Sequence, residues 1–182
     1  MKNYAIILGA GLGNRFGSFK QVEKINKKPV YLYSLDVFIN TGLFSSIFLV
    51  VPKKLIKLIN EQLQSPKYKN VIICEGGSSR SQSVHNAFSK ISEENSKIFI
   101  HDAVRPLIDE KLVLELQRFS KNRKATVLAK KITETVKSVK KAKLEFTVDR
   151  DNLWIAETPQ VFDSIVMLSL IHISEPTRRT TI

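Results

Sequence analysis

The chain has 182 residues, 43% of them hydrophobic and 25% charged, with 29 basic against 17 acidic side chains and a formal charge of +12. That is the size of one domain with a real core, and the single cysteine, Cys74, excludes a disulfide framework and a Cys-based zinc site. No apolar run approaches the ~20 residues of a membrane span, and residues 1–8 run straight into Gly9, unlike a signal peptide, so the composition points to a soluble cytoplasmic domain that binds no membrane.

Residues 4–8 read as a short strand that stops at a glycine loop. Residues 30–38 carry apolar positions near helical spacing, and 46–51 read as a buried strand. Over 53–63, Leu55, Ile56, Leu58, Ile59 and Leu63 share one helical face. Residues 70–74 form another strand, ending in Glu75-Gly76-Gly77. Residues 81–91 read as a helix carrying Val84, Ala87, Phe88 and Ile91, with Ser81 or a neighbour as N-cap. A strand over 97–100 ends at His101-Asp102, Asp109 is placed to cap a helix over 110–119, and 125–129 is a further strand. This alternation predicts an α/β fold, a mostly parallel sheet covered by helices on both faces. Residues 130–150 break the pattern. They are polar, Lys-rich and partly β-branched, and form either a hairpin projecting from the sheet or a long surface loop.

In such sheets ligands bind outside the carboxyl ends of the strands, so the loops after each strand carry the interest. The first, Gly9-Ala10-Gly11-Leu12-Gly13-Asn14-Arg15-Phe16-Gly17, is neither a Walker A loop nor a dinucleotide fingerprint, because Asn14 stands where the third glycine belongs. Its glycines let backbone N–H groups approach a phosphate, and Arg15 and Lys20 beyond them suit a triphosphate. The second, Gly76-Gly77-Ser78-Ser79-Arg80-Ser81-Gln82-Ser83, again allows close backbone approach, with Arg80 as a cation that a plain turn does not need. The third, His101-Asp102-Ala103-Val104-Arg105-Pro106, puts a carboxylate at a strand end, where it can hold a metal or orient a substrate. His101 reads as a hydrogen-bonded structural residue. The lysines are scattered along the chain, which reads as a solvated surface rather than a nucleic-acid footprint.

Taken together and in register, these pieces resemble the 2-C-methyl-D-erythritol 4-phosphate cytidylyltransferases. Lys20-Gln21, Lys28-Pro29-Val30, Thr135-Val136-Lys137, the stretch from Thr147 to Trp154, and Thr158-Pro159-Gln160-Val161-Phe162 complete the set. The resemblance spans residues 4–162. It implies a Rossmann-like nucleotidyltransferase fold and an enzyme that transfers CMP from CTP to a sugar-alcohol phosphate, releasing pyrophosphate. It implies Arg15 and Lys20 as catalytic residues. CTP would be bound by Gly9, Ala10, Gly11, Gly13, Gly76, Gly77, Arg80, Ser83 and Asp102. Arg105, Thr135, Arg150 and Thr158 would bind the alcohol phosphate. Mg2+ would be held largely by phosphates with Asp102 as the carboxylate, and an arm over about 131–150 would clasp a second copy in a homodimer.

The chain departs from the family pattern in places. Phe19 stands where Pro usually precedes the catalytic Lys, the spacing from Arg15 to Lys20 is short, and Glu134 replaces an Asp. From Leu168 the string Leu-Ser-Leu-Ile-His-Ile-Ser-Glu-Pro-Thr-Arg resembles a translated sequencing adapter. The expectation is therefore a single domain over 1–167, incomplete at its C-terminus, poorly stable and weakly active or inactive, followed by a non-native tail over 168–182. The competing readings are a cytidylyltransferase for another alditol phosphate such as ribitol 5-phosphate, and a non-catalytic nucleotide-binding Rossmann-like protein. A nucleic-acid-binding module is disfavoured because Arg15, Lys20, Arg80 and Arg105 fall in separate loops.

Overall fold

The computed structural model describes residues 1–11, 13 and 17–174, with backbone alone for 170–174. The first apolar run forms β1, Lys2–Leu8. Its side chains divide between two cores, Ala5 and Ile7 facing one and Tyr4, Ile6 and Leu8 the other. That is the alternation of a strand buried on both faces. Parallel partners flank it: β4 (Ser46–Val51) on one side and β6 (Ser96–Asp102) on the other, with β5 (Val71–Glu75) outside β4. Beyond β6 lies β10 (Trp154–Asp163), antiparallel to it, and then β7 (Ala125–Lys131), antiparallel to β10. Among the described residues the central sheet thus runs β5-β4-β1-β6-β10-β7.

Helices cover both faces, as the alternation predicts. The spacing of Tyr31, Ser34, Leu35 and Phe38 gives α1 (Val30–Asn40) a single buried stripe. With α2 (Ile56–Gln62) and α4 (Glu110–Ser120) it packs on the Ala5/Ile7 face. On the other face lie α3 (Arg80–Phe88) and α5 (Ser164–Ser174), through Val84, Ala87, Phe88 and Met167. Asp109 caps α4 by accepting from the Leu112 amide at 2.8 Å. A small hairpin, β2 (Lys24–Ile25) with β3 (Lys28–Pro29), precedes α1.

Residues 130–150 do form a hairpin. β7 runs on to Lys131, then β8 (Val136–Lys140) and β9 (Lys143–Val148) pair antiparallel outside the main sheet. The two-residue turn Lys141-Ala142 has φ +47° and +61°.

Three expectations change. Residues 53–63 are not one helix: Lys53–Leu55 is a tight 3-10 turn, and Leu58 points to solvent while Leu55 and Ile59 enter the core. The third helix begins at Arg80 and stops at Phe88, and Ile91 packs against the core from outside it. β10 was legible only as a motif, because Pro159 breaks the strand signal. The structure absorbs that proline at a register shift between Ala156 and Gln160. At the other end, α5 runs across Met167 and Leu168 without a break, and residues 175–182 of the expected tail lie outside the described residues.

Candidate functional site

Strand register brings the three loops together. Leu8 lies opposite both Val50 and Asp102, and Val51 lies opposite Glu75, so Gly9, Gly76 and Ala103 leave the sheet at one edge. Backbone bonds stitch them there. The Gly9 amide donates to Val50 O at 2.7 Å, Gly76 to Val51 O at 2.9 Å, and Ala103 to Leu8 O at 2.8 Å. The fit is tight enough to require glycine: a Cβ on Gly76 would lie 2.3 Å from the Ala10 Cβ. Among the described residues none comes within 4 Å of the corresponding position on Gly11.

The second loop is held from inside. Ser83 is buried, and its hydroxyl accepts from the Gly77 amide at 3.0 Å and donates to Ser79 O at 2.9 Å. Ser79, not Ser81, caps α3 by accepting from the Gln82 amide at 3.0 Å. The first loop is pinned by Gln21, a buried side chain whose amide donates to Gly11 O at 3.3 Å. Gly13 holds a φ of +69°, and a Cβ there would sit 1.8 Å from Ser18 O, so the position requires glycine on both counts. Lys20 opens a one-turn 3-10 helix, Lys20–Val22, directly behind this loop. Arg15 lies outside the described residues.

Asp102 is the charge centre of the third loop. Arg80 Nη2 approaches its Oδ1 at 3.3 Å, and Arg105 Nε its Oδ2 at 3.1 Å. Two loops therefore meet through one carboxylate, with both guanidinium groups about half exposed. Behind it, His101 is 1% exposed. Burial pushes its pKa down to about 4 against the opposing pull of the Arg105 carbonyl and the Asp102 charge, so the imidazole is neutral near pH 7. Its Nδ1 lies 3.0 Å from the Thr158 hydroxyl and its Nε2 3.3 Å from Arg105 O. Thr158 is itself buried and accepts from the Asp102 amide at 3.3 Å.

Of the residues singled out from the sequence, Gly9, Ala10, Gly76, Gly77, Ser83, Arg80, Asp102, Arg105 and Thr158 are thus brought to one edge, with Gly11, Gly13 and Lys20 in the loop beside it. Thr135 and Arg150 are not. They stand at the base of the arm, Thr135 exposed just before β8 and Arg150 just after β9, where its carbonyl accepts from the Leu153 amide at 3.0 Å. Two supporting residues escaped the sequence reading: Gln21 and Ser34. Ser34 had a signal, a lone hydroxyl inside the apolar stripe of α1. Gln21 had none beyond its place after Lys20. No three His, Cys, Asp or Glu side chains converge among the described residues, so the donor set is one carboxylate with arginines on both oxygens. Such a site suits a hard cation that brings its own phosphate oxygens.

Residues 4–179 match the profile of the family described as IspD, 2-C-methyl-D-erythritol 4-phosphate cytidylyltransferase. A protein of that name from Endomicrobium trichonymphae is 38% identical over 166 residues, covering 89% of this chain and 74% of the relative. One from Petrotoga mobilis is 32% identical, with 88% and 72% covered. Among solved structures, 4-diphosphocytidyl-2C-methyl-D-erythritol synthase from Anaerococcus prevotii superposes with a TM-score of 0.81 at 25% identity, over 99% of this chain and 80% of that one. The Francisella tularensis 2-C-methyl-D-erythritol 4-phosphate cytidylyltransferase gives 0.77 at 30% identity, over 97% and 82%. These neighbours share the Rossmann-like nucleotidyltransferase fold, and with the three loops meeting at one sheet edge they place the chain in a definite class: it belongs to the 2-C-methyl-D-erythritol 4-phosphate cytidylyltransferase family.

Proposed function

We propose that the protein transfers CMP from CTP to 2-C-methyl-D-erythritol 4-phosphate and releases pyrophosphate, a step in isoprenoid precursor synthesis. The observation that carries this reading is the convergence of two glycine loops and the Arg80–Asp102–Arg105 cluster on one edge of a parallel sheet. A phosphate oxygen of the alcohol phosphate forms a bond to the α-phosphorus of CTP. The bond from that phosphorus to the bridging oxygen breaks, and pyrophosphate leaves with the electron pair. The attacking phosphate is already ionised, so no side-chain base is required, and catalysis reduces to positioning and charge stabilisation.

In this reading the backbone of Gly9, Ala10, Gly76 and Gly77, with Ser83 holding the second strap, reads the cytosine. Gly11, Gly13, Arg15 and Lys20 receive the triphosphate, and Arg80 and Asp102 face the ribose and phosphates. Arg105 meets the alcohol phosphate. Thr158, whose hydroxyl is engaged with His101 and the Asp102 amide, supports that place from behind. Asp102 would be the protein ligand of a Mg2+ ion, which would supply charge neutralisation to the triphosphate. CTP is a cytoplasmic metabolite, which puts the reaction there. No described helix is long and apolar enough to cross a membrane.

The arm supports a homodimer. Val139, Leu144 and Phe146 are 60%, 63% and 58% exposed on it, and Trp154 and Ile155 extend the apolar surface at its base. A second copy seated there buries this surface and brings Thr135 and Arg150 to the partner's substrate. Sedimentation tests this: a dimer that Phe146→Lys converts to monomer supports it, and a wild-type monomer sinks it. The activity itself is tested by incubating the protein with CTP, Mg2+ and either 2-C-methyl-D-erythritol 4-phosphate or ribitol 5-phosphate and measuring pyrophosphate. Release with the first alcohol alone is expected. Preference for ribitol 5-phosphate reassigns the substrate, and no release with either removes the enzymatic reading.

A further inference from the structure

The Arg105 carbonyl is a junction. Two buried donors reach it from different elements: Ser34 Oγ, from the middle of α1, at 3.3 Å and His101 Nε2, from β6, at 3.3 Å. Ser34 Oγ also lies 3.2 Å from Ala103 O. The Arg105 amide donates to Asp102 O at 3.0 Å, which closes a tight turn between the two charged residues.

The one Ser34 hydroxyl proton is shared between the Ala103 and Arg105 carbonyls. The Arg105 carbonyl only accepts, and on that ground the His101 proton is assigned to Nε2. The neutral ring then has a bare Nδ1, which takes the proton of the Thr158 hydroxyl. Thr158 Oγ1, having given its proton, accepts from the Asp102 amide. The bonds therefore run one way, from the Asp102 amide through Thr158 into the ring, and from the ring to the Arg105 carbonyl. The opposite tautomer would set a nitrogen lone pair against a carbonyl lone pair. Phe38, with its ring centroid 5.4 Å from that of His101, closes the other side.

We propose that His101, assisted by Ser34, is a positioning residue for cytidylyl transfer: from beneath the site it fixes the backbone at both ends of the Asp102–Arg105 turn and so aims the Arg105 guanidinium at the alcohol phosphate. It touches neither substrate. The inference rests on the functional reading above, in which Arg105 meets that phosphate. A shift of Arg105 by about 1 Å is enough to cost of order 10²-fold in rate.

His101→Phe keeps an aromatic ring, somewhat larger than imidazole, and removes both bonds. His101→Gln places an amide donor near the Nε2 position and restores the bond to Arg105. The expected result is a roughly 30- to 100-fold fall in kcat/KM for the alcohol phosphate in H101F, with KM for CTP within about threefold of wild type, and recovery of about tenfold in H101Q. Losses that follow only the folded fraction, with both KM values unchanged, overturn the proposal. If the wild-type protein turns over no substrate, the functional reading fails by itself. The positioning claim is then decided by NMR at neutral pH. It requires the Nε2–H tautomer of His101 in the wild type, and an Arg105 Nε–H resonance that moves in H101F and returns in H101Q. An Nδ1–H tautomer, or an Arg105 signal indifferent to both variants, refutes it even if one variant fails to fold.

Discussion

A methyl group added at Gly11 and one added at Gly76 test different things. Gly76 is pressed against Ala10, so Gly76→Ala must push two loops apart. It should lower Tm by several degrees and weaken CTP binding together. No described residue lies within 4 Å of a Cβ placed on Gly11, so Gly11→Ala should leave Tm within about 1 °C, yet weaken CTP binding roughly tenfold by blocking close approach to the phosphates. Calorimetric titration with CTP checks both, and unchanged affinity in G11A removes Gly11 from the site. Asp102→Asn discharges a carboxylate whose two arginine partners are half exposed. It should change stability by less than about 1 kcal/mol while slowing pyrophosphate release about 10²-fold or more. A variant equally slow and grossly unstable would instead mark Asp102 as a fold residue. Charges and glycines of this kind were legible in the sequence because no apolar core explains them. Ser34 and Gln21 were not, since what they do depends on carbonyls far away in the chain: those of Ala103 and Arg105 for Ser34, and of the glycine loop for Gln21.

The arm shows the limits of local signal most plainly. Its turn, Lys141-Ala142, holds positive φ at both central residues, the geometry that Asn-Gly ordinarily supplies. Nothing in those two residue types announces it, so hairpin and loop could not be separated from sequence. The register then sets Lys140 opposite Lys143, like charges across an antiparallel pair. A two-stranded unit of this sort is marginal unaided. Ala142→Gly should therefore stabilise the arm by about 1 kcal/mol, read as slower amide exchange across β8 and β9. Faster exchange would mean the turn is not strained. The strands of the main sheet, by contrast, were legible as apolar runs, and α4 by its Asp109 cap. β10 escaped because a central strand containing proline contradicts the usual rule, and only pairing with β6 and β7 on its two sides overrides it.

For the molecule as a whole, stability should fall in acid in two stages. His101 takes a proton near pH 6.5 when unfolded but only near about 4 when folded. Its contribution, up to roughly 3 kcal/mol, is full above about pH 6.5 and is lost as the pH drops toward 4. Asp36 acts lower down. Burial raises its pKa, but bonds from Lys28 and Lys67 outweigh this and hold it below the ordinary 3.8, so its contribution persists until the pH falls below that value. Thermal melts across this range should show the first stage in wild type and its absence in H101Q. A wild-type Tm that is flat between about pH 6.5 and 5 would contradict it. At the far end of the chain, Met167 is the last of the described side chains to be buried, and Leu168 and Ser169 are exposed.

The sheet order also sets a timetable for synthesis. Among the described residues β7 joins the sheet only through β10, and Asp163, the last residue of β10, follows Lys131, the last of β7, by a stretch that contains the whole arm. At about 5–20 residues per second a ribosome needs roughly 2–6 s to cross it. For those seconds the nascent chain offers a finished four-stranded parallel sheet whose β6 edge is open, and a completed β7 with nothing to pair. That interval is when a chaperone, or a neighbouring nascent chain, has access to both edges.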